Sequence, residues 1–192
     1  MIIVNGMPKS GTHAVMAALE RMGHVRAPGH ITAQHPEDRL KLTKEHYKTI
    51  PWDSIDELYS VPDSYFMHAH VRGRFKDALA GFSVINVIRD PRNQLTSRIV
   101  WDKRELCADV LEEYMLNTRG EPFCGTYKDY AGWRGTAITM RYEDIPYDFA
   151  RNNPASSVTI MPVENFHDDW TNDMHRVFVQ HGGNELLQWA GY

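Results

Sequence analysis

The chain lacks the features that define several classes of protein. It has only two cysteines in 192 residues, so a disulfide-stapled secreted fold is excluded and a cytoplasmic location is expected. No apolar run approaches the ~18 residues of a membrane-spanning helix. Residues 1–6 have neither the basic flank nor the long apolar stretch of a signal peptide.

The sequence also lacks a large excess of charge of either sign. It has 21 basic and 25 acidic residues and a formal net charge of −4, which argues against a nucleic-acid partner. Apolar residues make up 42% and charged residues 24%, as is typical of a globular protein. At ~150 residues per domain, the length predicts a single domain over residues 1–192. The oligomeric state is left open.

Predicted strands alternate with predicted helices along the chain. Strands are predicted at residues 2–5, 65–71, 83–89, 137–142 and 157–161. Helices are predicted at residues 12–22, 54–59, 90–106, 108–117, 127–134 and 171–189, the last with a break at Gly182-Gly183. Residues 24–63, rich in Pro, His and charge, are predicted to be mostly irregular. This order predicts a three-layer α/β fold with a mainly parallel central sheet flanked by helices. Ligands bind such sheets at the carboxyl ends of the strands.

The loop after the first strand has the frame of a phosphate-binding loop. Gly6 and Gly11 are separated by four residues, between a predicted strand and a predicted helix. Glycines let backbone N–H groups turn toward an anion, and the helix N-terminus adds its positive dipole end. However, Thr12 and His13 follow Gly11 where a nucleotide kinase has Lys and Ser/Thr, and the lysine is Lys9. The pattern predicts a P-loop-like anion site; the alternative is an ordinary strand-to-helix turn with a surface lysine.

This loop resembles the 5′-phosphosulfate loop of the sulfotransferases that use 3′-phosphoadenosine 5′-phosphosulfate (PAPS). In that family the lysine contacts the phosphosulfate, and the loop amides hold the 5′-phosphate together with the Ser and Thr side chains. Cytosolic members continue with Thr-Trp, whose Trp packs on the adenine, whereas His13 and Ala14 stand here. The resemblance implies PAPS as donor, 3′-phosphoadenosine 5′-phosphate (PAP) as product and no metal. The binding residues it implies in the loop are Pro8, Lys9, Ser10, Gly11, Thr12 and His13.

A second resemblance lies at the end of the third predicted strand. Arg89 is followed eight positions later by Ser97, which matches the family's 3′-phosphate signature. The planar guanidinium of an arginine suits phosphate oxygens. Taken alone, Arg89-Asp90-Pro91 would be read as a helix cap and Ser97 as a surface residue. Together with the first loop, they predict a site for the 3′-phosphate.

Two histidines lie between these motifs. His68 and His70 point to the same face of a predicted strand, which would suit a metal, but the sequence shows no third ligand nearby. The family places its general base in a Lys-x-His segment at this point. His70 matches that histidine, and His68 stands where the lysine would be. A free pKa of ~6.5 suits histidine to the role of a base.

The last third of the chain resembles the family less closely. Tyr142-Glu143-Asp144 is similar to the segment whose tyrosine lies beside the adenine, although a strand-to-helix junction with acidic caps explains it equally. Asp169-Trp170 is similar to the family's Gly-Asp-Trp. The preceding Arg-Lys-Gly, which clamps the 3′-phosphate, is replaced by residues 163–165, Val-Glu-Asn. A weakened 3′-phosphate clamp is expected.

The resemblance implies a transferase that moves a sulfuryl group from PAPS to a hydroxyl or amine. The acceptor would be a small molecule, a glycan or a peptide held by residues 24–63 and by the helices after Arg89, with His70 as base and Lys9 at the leaving group. Two other functions are compatible with the sequence. One is a P-loop nucleotide or small-molecule kinase with Asp90 as metal ligand, and the other is a non-catalytic nucleotide-binding module.

Overall fold

A six-stranded sheet forms the centre of the part of the chain that the structure describes. The computed structural model describes all residues except 36, 45–46, 134, 136 and 146–165. The strands run in the order β3-β2-β4-β1-β5-β6, and all neighbours are parallel except β2 and β3. Their bounds are β1 Ile2–Gly6, β2 Val25–Ala33, β3 Lys41–Thr43, β4 Tyr65–Val71, β5 Ser83–Ile88 and β6 Ile138–Arg141.

Helices cover the sheet and extend beyond it. They are α1 Thr12–Arg21, α2 Pro91–Trp101, α3 Ala108–Leu116, α4 Phe123–Ala131, α5 Asn172–Gln180 and α6 Gly183–Ala190. Short 3₁₀ helices lie at Asp56–Ser60, Gly73–Leu79, Tyr142–Asp144 and Phe166–Asp169. Among the described residues, no helix has the length and apolar character needed to cross a membrane.

The central strands are buried on both faces, as expected of parallel strands covered by helices. Ile3 and Val4 are both fully buried, and their side chains alternate across the sheet. Ile3 packs in one apolar cluster with Met67, and Val4 packs in another with Val15 of α1. A further cluster joins α2 to α6. The predicted α/β fold with a mainly parallel sheet flanked by helices is confirmed.

Most predicted elements occur near their predicted positions. The strands at residues 2–5, 65–71, 83–89 and 137–142 are present, as are the first helix and the break between α5 and α6. The predicted helix at 90–106 ends earlier, at Trp101, and the one at 127–134 begins earlier, at Phe123. The predicted strand at 157–161 lies outside the described residues.

The prediction of a mostly irregular segment at 24–63 is wrong for its first part. Residues Val25–Ala33 form β2, which pairs with β4, and Lys41–Thr43 form β3. Pro28 and Gly29 conceal the strand, because both residues normally weaken one. The structure accommodates them with a shift of register between Arg26 and His30 and with a positive φ of 111° at Gly29. The helix predicted at 54–59 is the short 3₁₀ helix Asp56–Ser60.

Asn5 joins the carboxyl ends of the three central strands. Its Nδ2 donates to the carbonyl of Val71 at 3.0 Å and to Oδ1 of Asn86 at 2.9 Å, and its Oδ1 accepts from the N–H of Val71 at 2.8 Å. Asn5 and Asn86 are fully buried, where satisfied polar groups fix the relative position of their elements. The ends of β1, β4 and β5, which carry the candidate site, are thereby held in register.

Candidate functional site

The turn from β1 into α1 has no room for a side chain at two points, Gly6 and Gly11. Gly11 has a φ of 97°, and a Cβ there would lie 2.1 Å from the ring of Tyr142. A Cβ on Gly6 would lie 2.3 Å from Oγ of Ser10 and 2.8 Å from the carbonyl of Val87. The glycine spacing seen in the sequence is therefore required by close packing at both positions and by the positive φ at Gly11.

The loop ends at a helix N-terminus that no side chain caps. Gly11 is the N-cap of α1 and cannot supply a capping oxygen, so the positive end of the helix dipole faces the loop without a capping side chain, as at anion-binding helix N-termini. Ser10 is 1% exposed, and its Oγ has no hydrogen-bond partner among the described residues. A buried hydroxyl without a partner beside an uncapped helix suits a loop that receives phosphate oxygens.

Lys9 leaves the loop toward α2. Its backbone has a φ of 73°, and its Nζ lies 3.0 Å from the ring centroid of Trp101 in a cation–π contact. Burial, helped by the nearby positive charge of Arg98, lowers the pKa of Lys9 to about 8. The side chain of Lys9 therefore loses its proton more readily than an ordinary lysine, and a bound anion would stabilise its charged form.

Arg89 and Tyr142 meet the loop from the other side. Arg89 is buried at the end of β5, and its Nη1 donates to the carbonyl of Lys9 at 3.3 Å. Its guanidinium carbon lies 4.6 Å from the ring centroid of Tyr142, the ring that covers Gly11. The structure thus brings Arg89 and Tyr142 to the loop that carries Lys9 and Gly11, although both lie far from that loop in sequence.

Ser97 and His13 lie at the margin of this group. Ser97 is half-buried on α2, two turns after the end of β5, and His13 is exposed on the first turn of α1. Arg92 and Arg98 are each engaged by a carboxylate: the Nε atoms of these arginines donate to Asp90 at 3.0 Å and to Asp102 at 2.7 Å, respectively. Residues 163–165 lie outside the described residues.

Asp90 and Glu143 have structural partners. Asp90 caps α2 by accepting from the N–H of Arg92 at 2.8 Å, and its other carboxylate oxygen pairs with the Arg92 guanidinium. Glu143 accepts from the N–H of Asp90 at 2.9 Å and from the hydroxyl of Tyr192 at 2.7 Å. Glu143 therefore ties the end of β5 to the segment after β6 and to the last residue.

His70 and His68 contact the loop in different ways. The Nδ1–H of His70 donates to the carbonyl of Gly6 at 2.6 Å, which leaves Nε2 with its lone pair. Nε2 of His68 is instead engaged with Oγ1 of Thr12 at 2.9 Å. Burial is the main cause that lowers the pKa of both rings well below the usual value, and neighbouring His30 contributes to each. Both rings are therefore neutral, and His70 has the nitrogen that is better placed to accept a proton.

His30 is a site residue that the sequence analysis missed. It lies on β2 opposite His68 in the parallel register, and the two rings stack with centroids 4.6 Å apart. Its ring centroid is 5.0 Å from that of His70. The run from His30 to Ala33, with its two β-branched residues, was the available signal for a strand here.

No protein-family model and no curated protein matches the chain. The crystal structure of mouse sulfotransferase SULT7A1 complexed with PAP matches with a TM-score of 0.54 at 12% sequence identity, over 97% of this chain and 88% of that one. The chain has a sulfotransferase-type fold. At this identity, the match is evidence for the fold and not for the activity.

Proposed function

We propose that the protein is a sulfotransferase that uses PAPS as its donor. The observation that carries the proposal is the convergence of Lys9, the uncapped Gly11–Thr12 turn and buried Arg89 at one edge of the sheet. Two cationic side chains and an uncapped helix N-terminus at one place suit a ligand with more than one anionic group. That the fold is shared with a PAP-bound sulfotransferase supports the same ligand.

Different residues would bind different parts of PAPS. The loop residues from Pro8 to His13 would receive the 5′-phosphate, with the hydroxyls of Ser10 and Thr12 and the N–H groups of the turn as donors. Arg89, with Ser97 on α2, would hold the 3′-phosphate. Tyr142, stacked between Arg89 and Gly11, would flank the adenine.

His70 would act as the general base. As the acceptor oxygen forms its bond to sulfur, the bond from sulfur to the bridging oxygen of the donor breaks, and the acceptor proton passes to Nε2 of His70. Lys9 would stabilise the negative charge that develops on the bridging oxygen. Fixed positions and charges of this kind supply most of the acceleration in such transfers. The carbonyl of Gly6 keeps His70 in the required tautomer.

The acceptor would approach from the side of β2 and α2. Thr32, near the end of β2, pairs in register with His70, so part of the segment 24–63 does adjoin the proposed base. A hydroxyl or amine of a small molecule, glycan or peptide is the proposed acceptor class.

Asp90 argues against the kinase function. A kinase of the P-loop type needs a carboxylate free to hold Mg²⁺, whereas both oxygens of Asp90 are engaged by Arg92. The loop also lacks the Lys-Ser/Thr pair after its second glycine. A nucleotide site without a divalent ion is therefore the better interpretation.

Calorimetric titration tests the proposal directly. The wild-type chain is titrated with PAP, with AMP and with ATP plus Mg²⁺. We expect PAP to bind more tightly than AMP and Mg·ATP to bind weakly. Tight Mg·ATP binding would favour the kinase, and binding of none of the three would overturn the donor site. PAP binding without release of PAP from PAPS in any acceptor screen would favour the non-catalytic module.

A further inference from the structure

A cluster of three histidines lies where β2 and β4 run side by side. One ring nitrogen of each of His30, His68 and His70 lies within 4.8 Å of those of the other two. The ring centroids of His68 and His70 are 4.5 Å apart. His30 and His68 are buried and His70 is half-buried. Such a grouping of imidazoles is the usual ligand set for zinc and related ions.

The backbone fixes the positions of these three ligands. His30 and His68 are paired residues on adjacent parallel strands, and Thr32 is the partner of His70. His68 and His70 are two residues apart, so their side chains lie on the same face of β4. A site built on paired strands is more rigid than one built on a loop.

The hydrogen bond of His70 matches the arrangement found around metal-bound histidines. Its Nδ1–H donates to the carbonyl of Gly6, which fixes the tautomer and leaves Nε2 as the ligand atom. Burial favours neutral rings for His68 and His70, and a ligating imidazole must be neutral. Metal–nitrogen bonds of ~2.0–2.1 Å require the three nitrogens to move closer together, which rotation of the rings can supply.

We infer that His30, His68 and His70 form a binding site for a divalent transition-metal ion such as Zn²⁺ or Co²⁺. Three protein ligands leave a fourth position for water or another ligand. Because Nε2 of His68 is engaged with Thr12, His68 either binds through Nδ1 or releases that bond when the ion enters.

This metal site does not depend on the proposed transferase function. If the protein both binds the metal and transfers the sulfuryl group, it cannot do the two at once. A metal ion on Nε2 of His70 occupies the nitrogen that would accept the acceptor proton. Bound metal should then inhibit transfer. Metal binding is measured without donor or acceptor, so failure of the metal site and failure of the PAPS site are distinguishable.

A Co²⁺ titration of the metal-free protein tests the site. Cys107 and Cys124 are alkylated first so that thiolates cannot bind the ion. We expect one Co²⁺ per chain with the visible absorption of a four-coordinate ion, and Zn²⁺ should displace it. His30→Gln and His68→Gln should each weaken Co²⁺ binding by at least ~10-fold, the lower bound for loss of even a supporting partner.

His175→Gln is the matched control, because His175 is exposed on α5, and its Co²⁺ affinity should equal that of wild type. Equal affinities of wild type and His30→Gln would overturn the site. Since a buried substitution can also disturb folding, wild-type crystals soaked in Zn²⁺ supply a second measurement. An anomalous peak within bonding distance of a nitrogen of each of the three rings supports the site, and the absence of a peak at the cluster refutes it.

Discussion

At the scale of single residues, Lys9 has a charge that can be titrated near neutral pH. Its pKa of about 8 means that the free protein loses this cation as the pH rises through that value. An anion bound beside the ammonium raises the pKa, so binding takes up a proton above pH ~8. Affinity for PAPS should then fall with rising pH, by up to tenfold per unit.

We expect the dissociation constant for PAPS to rise between about pH 7 and about pH 9 in wild type. Lys9→Arg keeps a charged side chain over this range and should show a flat profile. Lys9→Met should be flat and weaker throughout, with transfer abolished. Titration of the three proteins in one buffer series makes the measurement. A wild-type profile parallel to that of Lys9→Arg would contradict titration of Lys9 in this range, and equal affinities of wild type and Lys9→Met at pH 7 would remove Lys9 from the ligand site.

The roles of the two histidines of β4 are distinguished by substituting each with an amide that keeps its hydrogen bond. Asn at position 70 can still donate to the Gly6 carbonyl, as Nδ1 does now, but it has no Nε2. We expect His70→Asn to lower turnover by roughly 10²- to 10⁴-fold, the usual range for a general base, with PAP affinity nearly unchanged.

His68→Gln is the paired variant, because its amide can replace Nε2 in the contact with Thr12. It should lower turnover much less than His70→Asn. If the larger loss belongs to His68→Gln, the base has been assigned to the wrong histidine. Steady-state rates of PAP release, with binding measured separately, decide between them.

Arg89 is expected to read the 3′-phosphate. A charge-assisted hydrogen bond contributes about 1.5–3 kcal/mol, so Arg89→Ala should reduce the preference for PAP over AMP by roughly tens- to a hundredfold. Arg89 also supports the loop through its hydrogen bond to the Lys9 carbonyl. Loss of that hydrogen bond affects PAP and AMP equally, so it cancels in the ratio of their affinities. Arg92→Ala is the control because Arg92 is paired with Asp90. An unchanged PAP-to-AMP ratio in Arg89→Ala would remove Arg89 from the nucleotide site.

At the scale of elements, the turn from β1 into α1 depends on a contact with the segment after β6. Gly11→Ala adds the strain of a positive φ, about 1–3 kcal/mol, and a clash with the Tyr142 ring. Gly23 has a similar φ of 90°, and a Cβ there would have no neighbour within 4 Å. Gly23→Ala therefore measures the strain without the clash.

Gly11→Ala should lower the free energy of unfolding more than Gly23→Ala does. Gly11→Ala should cost less in a Tyr142→Ala background than in wild type, because the two residues are in contact and their effects are not additive. Denaturant unfolding of wild type, the two glycine variants, Tyr142→Ala and the Gly11→Ala/Tyr142→Ala double variant measures these terms. Equal costs for the two glycine substitutions would mean that the loop yields to the added methyl group without strain against Tyr142.

At the scale of the whole molecule, the features predicted from sequence are those with local causes. The β1 loop could be predicted because its strand, glycines and helix are consecutive. β2 could not be predicted, because Pro28 and Gly29 are unfavourable inside a strand and its register is set by pairing with β4. The contact of Lys9 with Trp101 and that of Tyr142 with Gly11 likewise depend on helices and strands coming together. His30 was missed for the same reason, since it becomes a site residue only when β2 lies beside β4.

Binding at one edge of the sheet should stabilise the entire fold, because Asn5 couples the ends of the three central strands. A ligand at 100 times its dissociation constant adds about 2.7 kcal/mol to the free energy of unfolding. For a domain of this size, that corresponds to a rise in Tm of roughly 5–10 °C. PAP should give this rise in wild type. AMP at the same concentration should give less, as should PAP with Arg89→Ala. Equal shifts from PAP and AMP in wild type would contradict a site that reads the 3′-phosphate, and with it the proposal that PAPS is the donor.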